Sequence, residues 1–338
     1  MRIIVDAMGG DNAPLEILKG CALAAKEYQI EFLLTGNKAL IEQTISENHL
    51  DLGQYEIVHT DEVVTMEDEP TCVIKDKKES SLGKAFTLLK QGEGDAVVSA
   101  GSTGAVLVGA TMTVGRIKGI KRPALATLLP GDTGPAMLID CGANVECRSE
   151  MLLQFGIMGS VYMNKIQSVD NPRVMLANVG TEDSKGGTLQ KETFELLKQS
   201  PVNFCGNIEG RDILSGIADV IVSDGFSGNL ILKTCEGVAG MMYANLKEIF
   251  KKNFGSKLAA AMVMSGLKVF KKKMDYTEYG GAPLMGISKP VIKAHGSSNA
   301  VAFKNALRQA REYYQNNVIS EIQSSIVKLK EGEKNEGI

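Results

Sequence analysis

Residues 3–35 read IIVDAMGGDNAPLEILKGCALAAKEYQIEFLLT, and this stretch decides the fold. Ile3–Val5 is a short β-branched run, and Asp6 to Asn12 is a polar loop holding Gly9 and Gly10. Ala13–Tyr28 then carries apolar residues at helical spacing, and Phe32–Thr35 is a second apolar run. Pro14 suits the first turn of that helix, with Asn12 as its cap. Strand, glycine loop, helix and strand in this order argue for a mostly parallel sheet.

The alternation continues outward. Ala96–Ser99, Ala136–Asp140, Arg173–Asn178 and Val220–Ser223 read as strands, and Lys84–Gln91, Ser149–Asn164, Thr188–Gln199, Gly228–Phe250 and Asn299–Asn317 as helices. The strands are apolar nearly throughout and lack a polar alternate face, which requires helices on both sides of the sheet. The expected architecture is a three-layer α/β/α sandwich. Residues 1–327 read as one catalytic domain, followed by a loosely held tail, 328–338, rich in Lys, Glu and Gly.

One segment departs from the alternation. A helix from Gly228 runs into Asn253–Ser256, and a second, Lys257–Met274, follows at once, so a protruding helical hairpin is expected over about 228–274. Its second arm sets Leu258, Met262, Leu267 and Phe270 among alanines, with Lys257, Lys268, Lys271, Lys272 and Lys273 around them. The arm is amphipathic and basic at one end.

Composition bounds the function. The chain has 338 residues, 44% of them hydrophobic, which is ample for a core, and a net charge of −3 supplies no global field for nucleic acid. Its six cysteines form no Cys-x-x-Cys, so reduced thiols in a cytoplasmic protein are expected. Asp6 interrupts the first apolar run before it can serve as a signal peptide, and no run reaches transmembrane length.

In open parallel sheets, ligands sit outside the carboxyl ends of the strands. The residues there share a character: Asp6, Gly9 and Gly10 after the first strand; Gly101, Ser102, Thr103 and Gly104 after Ser99; Asn144 after Asp140; Asn178 ahead of Lys185 among glycines; Asp224, Ser227 and Asn229 opening the long helix; Gly281; and His295 and Ser297 before the last helix. Glycine lets backbone N–H groups approach an anion closely, and a helix N-terminus adds partial positive charge. Each loop alone is ordinary turn geometry; together they point to a small-anion pocket. The Gly-x-Gly-x-x-Gly and Walker patterns are both absent, which disfavours a standard dinucleotide site or an ATPase.

Of three histidines, His49 and His59 stand without chemical company and read as surface or packing residues; His295 has the better setting. Chemistry needing no protein nucleophile fits this scarcity. Lys185 reads either as a mobile cation or as a solvated loop lysine. Asn229 reads either as a helix cap or as an oxyanion donor.

Taken together, Val5–Asp11, Ser99–Ala105, Asp140–Asn144, Ser223–Asn229, Gly280–Gly286 and His295–Ser298 resemble the bacterial phosphate acyltransferases of the PlsX family, over roughly residues 1–325. The resemblance implies a homodimer with a fold like isocitrate dehydrogenase and phosphotransacetylase. It implies transfer of a fatty acyl group from acyl carrier protein to inorganic phosphate, with no cofactor, for the first acylation of glycerol 3-phosphate. It points to Lys185 and Asn229 as catalytic residues, with His295 ranked below them.

Asp6, Asp11, Asp140 and Asp224 are expected to organise the loops by accepting backbone N–H bonds rather than to hold magnesium. Activity that survives thorough chelation checks this. The alternatives carried alongside are a phosphotransacetylase using acyl-CoA, a dehydrogenase of the isocitrate type, and a non-catalytic membrane-associated scaffold. Absence of an NAD-dependent absorbance change disposes of the second.

Overall fold

In the computed structural model, residues 1–274 and 280–335 are described. The strands are β1 (Arg2–Asp6), β2 (Glu31–Gly36), β3 (Tyr55–His59), β4 (Ala96–Ser99), β5 (Ala124–Leu129), β6 (Ala136–Ile139), β7 (Arg173–Asn178), β8 (Asn203–Glu209), β9 (Val220–Val222), β10 (Ala282–Met285) and β11 (Val291–Lys293). The helices are α1 (Leu15–Glu27), α2 (Lys38–Glu47), α3 (Ser81–Gln91), α4 (Thr103–Gly109), α5 (Ser149–Gln167), α6 (Thr188–Lys198), α7 (Gly225–Lys251), α8 (Phe254–Met274), α9 (Ala300–Gln315) and α10 (Val318–Asn335).

The strands form one sheet in the order β3-β2-β1-β4-β11-β10-β5-β6-β9-β7-β8. Pairing is parallel except where β10 meets β11, β5 meets β10 and β5 meets β6. These three successive reversals join two parallel wings that run in opposite directions. The mostly parallel sheet expected from the sequence is present, with an antiparallel seam at its centre. That seam escaped the sequence reading because β10 and β11 are short, and because β5, though six residues long, is not flanked by the helix-loop-strand alternation that marked the others.

Alternate residues of one strand enter different apolar clusters, as a sheet covered on both faces requires. Ile3 and Val5 pack with Phe32, Leu18 and Phe303 on one face, while Ile4 packs with Leu33, Phe86 and Leu89 on the other. In the second wing, Val220 and Val222 pack with Phe155, Met158 and Leu176, and Ile221 lies opposite with Leu138 and Ile208. Close contact of α1 and α9 depends on Gly20, where a Cβ would stand 2.9 Å from the Cβ of Phe303.

Two local expectations need correction. Asn12 does not cap α1; its amide donates to the carbonyls of Ser297 and Ser298, and Pro14 takes the N-cap position. Helix also runs past residue 327, because α10 continues to Asn335; it buries Ile322 and Ile326, both ahead of that point, against α5 and the sheet. The lysine-rich composition hid the apolar stripe of this helix.

The hairpin is formed by α7 and α8, which pack on each other. Of the 27 residues of α7, only Gly225 and Gly228 are buried. Phe254 and Met262 on α8 are 84% and 81% exposed, so the hairpin offers an apolar surface that nothing among the described residues covers. The side chains of Leu258, Lys268, Phe270 and Lys271–Lys273, named in the sequence reading, lie outside the described residues.

Candidate active site

A cavity of about 480 Å³ opens where loops of the two wings meet. From the first wing come Asp11, Thr103, Lys293, His295 and Gly296; from the seam come Leu125, Thr127, Gly281 and Ala282; from the second wing come Cys141, Gly142, Asn229, Leu232, Lys233 and Glu236. Met66, beside Gly296, adds an apolar side chain to those of Leu125 and Leu232.

The first-wing loops are knitted together by their backbones. Asp11 N–H donates to the Gly296 carbonyl at 2.9 Å, and Gly10, at φ +101°, lies so close that a Cβ there would stand 3.0 Å from the same oxygen. Beneath them, the Ser99 hydroxyl donates to Asp6 at 2.7 Å and accepts from Gly101 N–H at 3.0 Å. Gly9 must be glycine, since a Cβ would meet the Asp6 carboxylate at 2.4 Å and Gly101 N at 2.8 Å. Asp6 is fully buried, and burial raises its pKa above the usual carboxylate range, against the pull of its hydrogen bonds. Ser102 takes the N-cap position of α4 without a side-chain bond, Gly104 packs on Pro70, and Thr103 between them reaches the cavity.

In the second wing Asp140 is the organiser. One of its oxygens accepts N–H bonds from Leu125, Gly142 and Ala143 at 3.0, 3.2 and 3.0 Å; the other accepts from the Asn144 backbone and side chain at 2.7 and 2.9 Å. The Asn144 amide also ties Pro123 O at 2.8 Å. Burial pushes the Asp140 carboxyl upward despite these donors. An Asp140→Ala protein would leave them without an acceptor, and a loss of about 2–3 kcal/mol is expected, read as a lower urea midpoint at unchanged slope.

Asp224 caps α7, accepting from Ser227 N–H and its hydroxyl, both at 2.8 Å. The cap is therefore Asp224 and not Asn229, which lies one turn further in. α7 seats directly on the Asp140 loop: Gly225 N–H donates to Asn144 O at 2.7 Å, and a Cβ on Gly228 would stand 1.9 Å from Asp140 O. This contact brings Asn229 beside Gly142 on the cavity wall.

His295 sits on the opposite side. Its Nδ1 lies 2.9 Å from the Ser297 hydroxyl and accepts from Ser297 N–H at 3.2 Å, so the neutral ring carries its proton on Nε2. Partial burial lowers its pKa, and the cations Lys233 and Lys293 add to this.

The structure does not bring Lys185 or Asn178 to the cavity. Lys185 stands half exposed, 3.7 Å from Glu182, and Asn178 donates to its backbone carbonyl at 3.2 Å. The reason is topological. β7 lies beyond β9, two strands from β6, which is roughly 10 Å at ordinary strand spacing.

What sequence reasoning missed is Lys293, the last residue of β11. It is buried at 7% exposure, and its ammonium donates to Ala100 O at 3.4 Å and to Ala294 O. Burial lowers its pKa to about 8, while Asp6 and Asp11 oppose that shift. Lys233 and Glu236, one and two turns along α7 from Asn229, form an ion pair at 2.8 Å and line the same cavity.

A buried lysine, an amide and several apolar side chains around one cavity suit acyl transfer to a small anion. A family profile described as "Fatty acid synthesis protein" matches residues 1–321. A phosphate acyltransferase from Thermoanaerobacterium thermosaccharolyticum is 49% identical over 326 residues, covering 96% of this chain and 97% of that one. One from Clostridioides difficile is 44% identical over 336 residues, 99% of each. Among solved structures, a phosphotransacetylase from Streptococcus pyogenes superposes with a TM-score of 0.60 at 17% identity, covering 96% of this chain and 93% of that one. A branched-chain phosphotransacylase from Enterococcus faecalis gives 0.57 at 15%, covering 93% and 99%. The fold is thus that of the phosphotransacylases. Within it, the chain belongs to the phosphate acyltransferase family and is an acyltransferase enzyme.

Proposed function

We propose that the enzyme moves a fatty acyl group from acyl carrier protein to inorganic phosphate, yielding acyl phosphate for phospholipid synthesis. The observation that carries this reading is one cavity lined both by the apolar side chains of Met66, Leu125 and Leu232 and by the polar groups of Asn229, Lys293 and His295. A phosphate oxygen attacks the thioester carbonyl carbon. The C–O bond forms, the carbonyl electrons move to oxygen, and the Asn229 amide N–H stabilises that oxyanion. The C–S bond then breaks as the carbonyl re-forms. The thiolate takes a proton from water, and the neutral His295 ring can offer it a hydrogen bond from Nε2 without giving up that proton.

Phosphate is a partly dianionic nucleophile at neutral pH and needs little help from a base. What remains for the protein is placement and charge stabilisation. Of the cation and the amide favoured by the sequence, Asn229 is given the oxyanion here; Lys185, outside the cavity of the single chain, is assigned no step.

For acyl carrier protein, an acidic partner, the exposed lysines Lys247, Lys251, Lys252 and Lys257 on the hairpin form a basic docking face. The uncovered apolar residues of α7 and α8 support a homodimer, with the hairpin tip free for reversible contact with the inner face of the cell membrane, where a membrane glycerol-3-phosphate acyltransferase consumes the product. No helix among the described residues is long and apolar enough to cross a membrane. A Met262→Glu protein is expected to lose most of its flotation with anionic vesicles while keeping its elution volume on gel filtration. Loss of the dimer instead assigns Met262 to the subunit interface.

The decisive experiment incubates the protein with acyl carrier protein thioester and phosphate and traps acyl phosphate as its hydroxamate. No phosphate-dependent product overturns the proposal. The second reading, an acyl-CoA-dependent phosphotransacylase, draws on the fold alone. Comparing the two acyl donors in the same assay discriminates them.

A further inference from the structure

We propose that Lys293 is the residue that holds the attacking phosphate in the cavity. This rests on the reaction proposed above, but its evidence is separate. An ammonium has three N–H donors. Among the described residues, two of those of Lys293 find backbone carbonyls, of Ala100 and Ala294. The third is left for the cavity that the side chain lines. A buried cation with an unfilled donor is unfavourable unless a counter-charge completes it.

The other cations nearby are already engaged. Lys233 pairs with Glu236 at 2.8 Å, and Lys185 stands outside the cavity beside Glu182. Among the described residues, no carboxylate lies within ion-pair distance of Lys293; Asp6 on β1 and Asp11 in the following loop face it at longer range, as does Lys233 on α7. A phosphate oxygen supplies the missing acceptor and the missing charge together. No bond to Lys293 forms. It stays protonated through the reaction, drawing the dianion toward the wall on which Asn229 awaits the carbonyl oxygen.

The position also explains why a lysine, not an arginine, stands here. β11 pairs with β4 so that Lys293 lies opposite Ser99, and its stem shares the sheet face of the buried Val291. A compact ammonium on a flexible stem fits between two carbonyls; a planar guanidinium does not.

Two results are expected. In Lys293→Met and Lys293→Gln enzymes, the KM for phosphate rises at least about tenfold, while the KM for the acyl donor stays within about twofold, a split that a merely structural residue does not produce. In the parent enzyme, the ammonium loses its proton as pH rises through about 8, so the KM for phosphate climbs by about tenfold per unit above that point. A phosphate KM unchanged in the folded variants overturns the proposal. If neither variant folds, a phosphate KM flat from about pH 7 to 9.5 in the parent overturns it. Failure of the parent to make any phosphate-dependent hydroxamate overturns the reaction instead. Calorimetric titration of parent and Lys293→Met with inorganic phosphate then tests the lysine by itself, equal affinity counting against it.

Discussion

An Asn229→Ala enzyme is expected to lose about two to three orders of magnitude in kcat, some 2.7–4 kcal/mol of transition-state stabilisation. KM for the acyl donor changes little, because the amide gains strength only as negative charge builds on the carbonyl oxygen. Folding offers no competing explanation. Asn229 is inside α7, Asp224 caps the helix, and alanine is the better helix former by a few tenths of a kcal/mol. Unchanged or slightly raised thermal stability with collapsed turnover is therefore the signature. Near-parental turnover by a folded protein removes Asn229 from the chemistry.

A Gly228→Ala substitution, one residue away, acts differently. The added methyl would stand 1.9 Å from the carbonyl oxygen of Asp140, and that obstacle is backbone, so no rotamer change relieves it. Either α7 moves off the Asp140 loop or the loop itself shifts with its five N–H bonds. The expected cost is at least about 3 kcal/mol of stability. A displacement of about 1 Å at Asn229 is worth a further loss of about a hundredfold in kcat. Chemical denaturation and kinetics on the same sample read both effects. Parental values for both would mean that the helix does not bear on that carbonyl.

Strong signals survived translation into structure. The parallel wings were legible because Ile3–Val5, Ala96–Ser99 and Val220–Val222 are apolar on both faces, and the loops after them because glycine and aspartate cluster there. Asp140 and Asp224 were correctly suspected of organising loops, since short carboxylates beside backbone N–H groups do little else so economically. Thr103, Asn229, Gly281 and His295 do line one cavity.

Other features were written only in the topology. Whether Asn178 and Lys185 share a pocket with Asn229 depends on strand order, and nothing in the spacing of residues 178–229 reveals that β9 inserts between β6 and β7. Lys293 was hidden for a different reason. Val291-Ile292-Lys293-Ala294 is too short to read confidently as a strand, and the charge makes it look like surface. The clue available was that Lys293, unlike the lysines on helix faces, ends a β-branched run just ahead of His295 and its glycine.

α7 is a rod of about 40 Å, buried only at Gly225 and Gly228 and accompanied along its outer turns by α8. Such a rod is an alignment arm. A slack of about 1 Å where its far end rests becomes roughly 0.15 Å at Asn229, which lies only about 6 Å from the pivot. That is well inside the half-ångström tolerance within which catalytic groups must be held. Coarse, replaceable contacts at the outer end thus yield fine angular control at the inner one, and the outer turns are free to change sequence with whatever surface they meet.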